Sequence, residues 1–208
     1  MNAIRTPSTL IAQVLAILLG AVCLSLHSVV DAAESTTEVA ETAETKRPEA
    51  VSEYKIKAAF LYNFIRYTTW PKGALGKDGT PIELLVIGKN PFATTLDSTF
   101  AGKTLHGRKV HISYAPATPK DISAHMVFVI GLSQAEEDLL IKRFHGKPTM
   151  LIGDSDGFAE RGACANFYLK DSKVRFQVNP DEVKRGGLEI SSQLLKLATI
   201  VKTKEQKE

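Results

Sequence analysis

Two short apolar runs, IELLVIG at residues 82–88, with Glu83 its one charge, and MVFVI at residues 126–130, decide most of what this chain can fold into. Each is far too short to be a membrane helix. Each lacks the polar alternation of a strand with one wet face, so each reads as a strand covered on both sides. Strands of that kind belong to a parallel sheet with helices on both faces, and the neighbouring segments supply those helices. Ser52 is placed to cap a helix whose apolar side runs Ile56, Ala59, Phe60, Asn63, Phe64 and Tyr67. Trp70-Pro71 stops it, because the residue before proline is pushed out of the helical region. Asn90-Pro91 opens a short helix with proline at its first position. Residues 109–114 alternate, with Val110, Ile112 and Tyr114 against Lys109, His111 and Ser113, which predicts a half-buried strand. Ser133 and Glu136 form a capping box for a helix that runs to Phe144 and ends at Gly146, and residues 149–152 give the next strand.

The pattern then changes. Residues 164–170 and 173–178 are strands joined by Asp171-Ser172, a two-residue hairpin connection. Val174, Phe176 and Val178 point one way, and Lys173, Arg175 and Gln177 the other. Asn179-Pro180 opens a final helical region that Gly186-Gly187 interrupts. Leu188, Ile190, Leu194, Leu195, Leu197 and Ile200 are expected to pack against the sheet. The expected fold class is α/β, a mainly parallel, Rossmann-like sheet flanked by helices with an added antiparallel hairpin.

The start of the chain is different in kind. Residues 10–26 (LIAQVLAILLGAVCLSL) carry no charge, Arg5 precedes them, and Val30-Asp31-Ala32 offers small residues at a cleavage site. This predicts a secretory signal peptide over residues 1–32, cut near Ala32, rather than an uncleaved anchor. Cys23 leaves with it, since Gly20-Ala21-Val22 lacks what lipidation needs. Residues 33–51 have no aromatic residue and carry five Glu against Lys46 and Arg47, so they are expected to form a flexible acidic leader. That leaves a folded domain over residues 52–202 and a charged tail over residues 203–208.

The chemistry on offer is sparse. A net charge of +3 spread along the chain gives no basis for nucleic-acid binding. Two cysteines make neither a disulfide framework nor a four-cysteine zinc site. The string Gly153-Asp154-Ser155-Asp156-Gly157 suggests an esterase, but no histidine follows His145 to activate Ser155. It also fails the spacing of a calcium loop, and it reads as a strand end turning on two Asp and two Gly. His106, His111, His125 and His145 share no short repeat with one another or with Cys164, so no metal site is expected. Residues 85–90 hold a single glycine and form no phosphate loop. No catalytic residue and no cofactor is predicted. Phe60, Phe64, Tyr67 and Trp70 form an aromatic stripe suited to core packing or to a partner's groove. Cys164 is expected to be buried, or else free for an intermolecular disulfide.

Residues 54–71 (YKIKAAFLYNFIRYTTWP) resemble the opening of the YfiR/HmsC family of small periplasmic proteins. In order, Val86-Ile87-Gly88 with Pro91-Phe92, Leu151-Ile152-Gly153-Asp154 with Phe158, Asn166-Phe167, residues 174–179 (VRFQVN) and residues 187–198 (GLEISSQLLKLA) resemble later family segments. The resemblance covers about residues 52–200. It implies a periplasmic, non-enzymatic regulator that holds an inner-membrane diguanylate cyclase inactive by binding its periplasmic sensor segment. An outer-membrane lipoprotein or envelope stress then releases it, raising cyclic di-GMP and promoting biofilm. Family members carry cysteine pairs near the first and third strands and near the later loop. Here those places read Leu84-Leu85-Val86 and Ala124-His125-Met126, and Cys164 stands alone, so an intramolecular disulfide switch is not expected.

The expectation is therefore an exported binding protein, a homodimer, with Trp70, Arg175 and Gln177 as partner-binding candidates. The rival is a periplasmic small-molecule binder that uses a crevice at the strand ends, formed by Gly88, Asn90, Gly153 and Asp154.

Overall fold

The two apolar runs lie side by side. In this computed structural model, which describes residues 38–204 and their side chains from Glu53 onward, β2 (Ile82–Gly88) and β5 (Met126–Ile130) pair in parallel from Leu84 opposite Met126 to Gly88 opposite Ile130. The expected signal peptide, Cys23 and the end of the tail lie outside the described residues. On the far side of β2, β4 (Arg108–Ala115) is parallel to it, and β3 (Thr104–Leu105) adds antiparallel at the edge. On the other side, β6 (Met150–Gly153) and β7 (Ala165–Lys170) continue in parallel. The hairpin strand β8 (Lys173–Val178) then runs antiparallel to β7, and the two-residue β10 (Thr199–Ile200) ends the sheet. The result is α/β with a mixed eight-stranded sheet, in the order β10-β8-β7-β6-β5-β2-β4-β3. A separate antiparallel pair joins β1 (Thr68–Thr69) to β9 (Glu189–Ile190).

Residues 54–67 of helix α1 (Glu38–Tyr67) pack against one face of this sheet. Among the described residues it is helical from Glu38 onward, so Ser52 lies within it and does not cap it; alanine and glutamate are strong helix formers. Its buried side is also rotated from the expected one. Lys57, Ala58, Leu61, Phe64 and Ile65 are buried, while Ile56 and Ala59 are exposed. Phe60 and Phe64 flank that side and meet the hairpin, with Phe64 5.2 Å from Phe176 edge to face and 6.1 Å from Phe167. Phe128 joins them at 6.0 Å from Phe167, so one aromatic cluster ties the first helix to the central and the late strands.

Helix α3 (Gln134–Phe144) has the expected capping box, Ser133 accepting from the Glu136 backbone and Glu136 returning to Ser133. The Asp171-Ser172 turn has positive φ at both residues, +51° and +55°, which is what a type I′ hairpin turn requires. Two expectations change. Asn90 opens no helix; its Oδ1 accepts from the Phe92 N–H at 3.0 Å, and α2 (Thr95–Phe100) starts later. After α4 (Pro180–Arg185), the leucine-rich segment is not one helix but β9, the single turn α5 (Ser192–Leu195) and β10. Leu188 and Leu194 are buried, but Leu197 and Ile200 are exposed. Pairing of Ile190 with Thr68 fixes this segment, and no local pattern encodes that contact.

Candidate partner-binding face

At the strand ends, Gly88, Asn90, Gly153 and Asp154 each meet the protein's own groups. Asp154, just past β6, lies 2.9 Å from the Lys57 ammonium, which also meets Glu53 at 2.5 Å. Lys57 is 3% exposed, so this is a buried clasp between α1 and the end of β6. Burial raises the Asp154 carboxyl above its usual range, opposed in part by Lys57. Tyr54 completes the clasp, its hydroxyl pushed well up by burial and by the Asp154 charge, with its ring edge to face with Phe92 at 5.4 Å. Gly88 and Gly153 serve contact with the protein's own groups. A Cβ at Gly88 would sit 1.9 Å from the Ile130 carbonyl oxygen, and one at Gly153 would sit 2.5 Å from the Phe158 ring. Asn90 is exposed, its side chain engaged in the Phe92 turn.

Beside the clasp lies a second ion cluster. Ser155 Oγ donates to Glu137 at 2.5 Å, and the same carboxylate is paired with Arg161, whose Nε is 3.0 Å from Asp138. The carboxylate that could accept a proton from Ser155 is thus already committed to a guanidinium. These groups hold the loop after β6 against α3. Among the described residues, no group of three or more His, Cys, Asp or Glu is placed to hold a metal ion.

His125 lies just before β5, in the segment Ala124-His125-Met126. Its Nδ1 accepts from the Glu83 N–H at 2.8 Å, and its Nε2 lies 3.2 Å from the Ala74 carbonyl. The ring therefore pins the start of β2 to the loop after β1 as a neutral imidazole, and burial lowers its pKa. Cys164 is buried at 7% exposure with Sγ 3.8 Å from the Thr149 carbonyl, and burial pushes its thiol up to about 12. Such a thiol is little ionised at neutral pH and faces inward.

The hairpin is the opposite case. Arg175 is exposed and Gln177 half-buried, on the face that β8 turns away from α1. The register places Lys173 opposite Lys170 and Arg175 opposite Tyr168. Trp70 is not with them. It is buried, its ring edge to face with His106 at 6.0 Å in the turn between β3 and β4, at the other edge of the sheet. Sequence reasoning missed Lys57, Glu137 and Arg161. The only signal for Lys57 was its place beside Ala58 and Leu61 on the helix.

The model of the YfiR/HmsC-like family matches residues 54–199, from the clasp tyrosine to the first residue of β10.

Proposed function

Because the chain belongs to the YfiR/HmsC-like family, we propose that it is a periplasmic, non-enzymatic regulator that represses a membrane-bound diguanylate cyclase by binding its periplasmic sensor segment. The family match over residues 54–199 carries this reading. The exposed Arg175 and the half-buried Gln177 beside it support a protein partner at the hairpin. Repression by binding works through population shift: the regulator inhibits only by the difference in its affinity for the active and inactive sensor conformations. A switch from nearly all active to nearly all inactive needs about a 10⁴-fold difference. Export by the segment before Ala32, a homodimer, and release by an outer-membrane lipoprotein complete the proposal.

The test is cellular cyclic di-GMP in strains with and without the gene. Deletion is expected to raise it, and the full gene, but not one lacking residues 1–32, to restore it. No change at rest or under envelope stress rejects the regulator reading. The sequence places the rival small-molecule reading at Gly88, Asn90, Gly153 and Asp154; a hollow of about 410 Å³ elsewhere, between α4 and α5 and lined by Val183, Leu188, Ile190 and Leu195 with Lys184 and Glu189, offers it a different seat. A large thermal shift with one amino acid or aromatic metabolite favours it.

A further inference from the structure

Strand β4 is paired along one side and, on the other, only at its start. β2 lies beside it from Val110 to Ala115, while β3 pairs only with Arg108 and Lys109. On that outer side no strand among the described residues lies beside residues 111–115. The pairings also show which main-chain groups are left over. Leu105 and Arg108 flank a two-residue turn and exchange hydrogen bonds, so Arg108, Val110, Ile112 and Tyr114 turn their N–H and C=O groups away from β2. The far side of β2 agrees: the Glu83 carbonyl accepts from the His125 N–H toward β5, which leaves Leu84 and Val86 for His111, Ser113 and Ala115. The Thr104–Lys109 pair uses the Val110 N–H, and Pro116, just past β4, has none. Ile112 and Tyr114 are left with both groups open. Neither is buried: Ile112 is half-buried and Tyr114 is 38% exposed.

What fits this edge is the same edge of a second copy. About a twofold axis at Ser113, an antiparallel copy sets Ile112 opposite Tyr114 and Tyr114 opposite Ile112, each pair exchanging both main-chain hydrogen bonds. The side chains agree on both faces. Ile112 and Tyr114 lie on the side of α2, where the Tyr114 hydroxyl donates to Asp97 at 2.8 Å, so each isoleucine meets a tyrosine ring, a favoured cross-strand pair. On the other face Ser113 meets Ser113 and His111 meets Ala115, so no two like charges stand opposite. Neighbouring registers fit worse. One residue back, the copy's Tyr114 falls on the place beside Val110 that Lys103 holds; one residue on, Ile112 faces Pro116. There is room for the contact: a hollow of about 390 Å³ lies against this edge, lined by Val110, His111 and Ile112 with Asp97, Phe100 and Lys103.

We propose that two copies of this chain pair through residues 111–115 of β4, joining their eight-stranded sheets into one across a twofold axis at Ser113. The contact is short beside the roughly 1,200–2,000 Å² that a lasting interface buries, so the dimer is reversible. This gives the homodimer of the regulator reading a surface and a register. It rests on that reading for the dimer's place in signalling, and not for the contact itself.

The test is sedimentation equilibrium of the purified protein from about 1 to about 200 μM, the range in which a weak contact shows. A reversible dimer is expected, with exchange at the Ile112 and Tyr114 amides slowing as concentration rises. Ser113→Lys and Ser113→Glu each set like charges across the axis. Each is expected to weaken association at least about tenfold while leaving the melting temperature of the dilute protein unchanged. Mixed in equal amounts, the two variants are expected to dimerise again, which misfolded chains do not do. Ser113→Cys is expected to give a disulfide-linked dimer on oxidation, since these facing residues approach closely and Cys164 is buried. A monomer throughout, single variants that associate like wild type, a mixture that stays monomeric, or protection elsewhere overturns the proposal. Cellular cyclic di-GMP separates the two readings. If the wild-type gene has no effect, the regulator reading fails and the contact stands on sedimentation. If the gene represses while the protein is monomeric at about 200 μM, the dimer alone fails.

Discussion

The end of β6 and the end of the β7–β8 hairpin are both rich in charge, and they handle it in opposite ways. At β6 the charges are paired around two buried side chains: Lys57 with Asp154 and Glu53, and Glu137 with Arg161, which also meets Asp138. At the hairpin Lys170, Lys173 and Arg175 are exposed and without an ion-pair partner among the described residues. Paired buried charge fixes one geometry and has little left to offer a ligand. Exposed charge on the outer face of a hairpin costs the fold little and remains available to another molecule. Charge density alone therefore does not locate the functional face.

The contrast is broken most forcefully at the clasp. Lys57→Met leaves Asp154 buried without its cation and is expected to cost about 3–5 kcal/mol in urea unfolding. Lys57→Met with Asp154→Leu is expected to recover most of that loss, since burial already works against the Asp154 charge. Failure of the double variant to recover would mean that the pair is a net source of stability. Gly88→Ala comes next. With φ at +104° and the Ile130 carbonyl in the way, overpacking of about 1–3 kcal/mol is expected, with the backbone strain added to it. A smaller effect is expected from pH. His125 is held neutral with its folded pKa lowered, so its contribution to stability is full above its unfolded value of 6.5 and is lost as pH falls through the folded value. Denaturant midpoints at stepped pH should show wild type losing stability on acidification more steeply than His125→Gln. The smallest effect belongs to the hairpin: Arg175→Ala should stay within about 0.5 kcal/mol of wild type in stability, whatever it does to binding.

The elements that sequence made legible are those whose causes are local. The runs at β2 and β5 are apolar but for Glu83, the Ser133 box is four residues long, and the Asp171-Ser172 turn joins β7 to β8. What escaped depends on distant partners. The segment after Gly187 has a helical spacing of leucines, yet its pairing with Thr68 and Thr69 turns part of it into strand. Lys57 reads as solvated until Asp154 arrives from the other end of the domain. Trp70 sits on the predicted aromatic stripe, but its neighbour is His106, and only the fold brings that residue to it. Arg175 was legible as outward-facing because strand alternation is a local rule.

The contact of Phe60 and Phe64 with Phe167 and Phe176 has a consequence for how the domain comes into being. Ribosomes make the covering helix first and the strands it covers nearly last. Until the hairpin has formed, the apolar face of α1 lacks one wall of its seat, and the loop to be closed spans most of the domain. The seat of α1 is thus complete only once β8 is in place. Chains cut short before β8 are expected to remain open to protease along α1, and to be captured by whatever binds exposed aromatic rows.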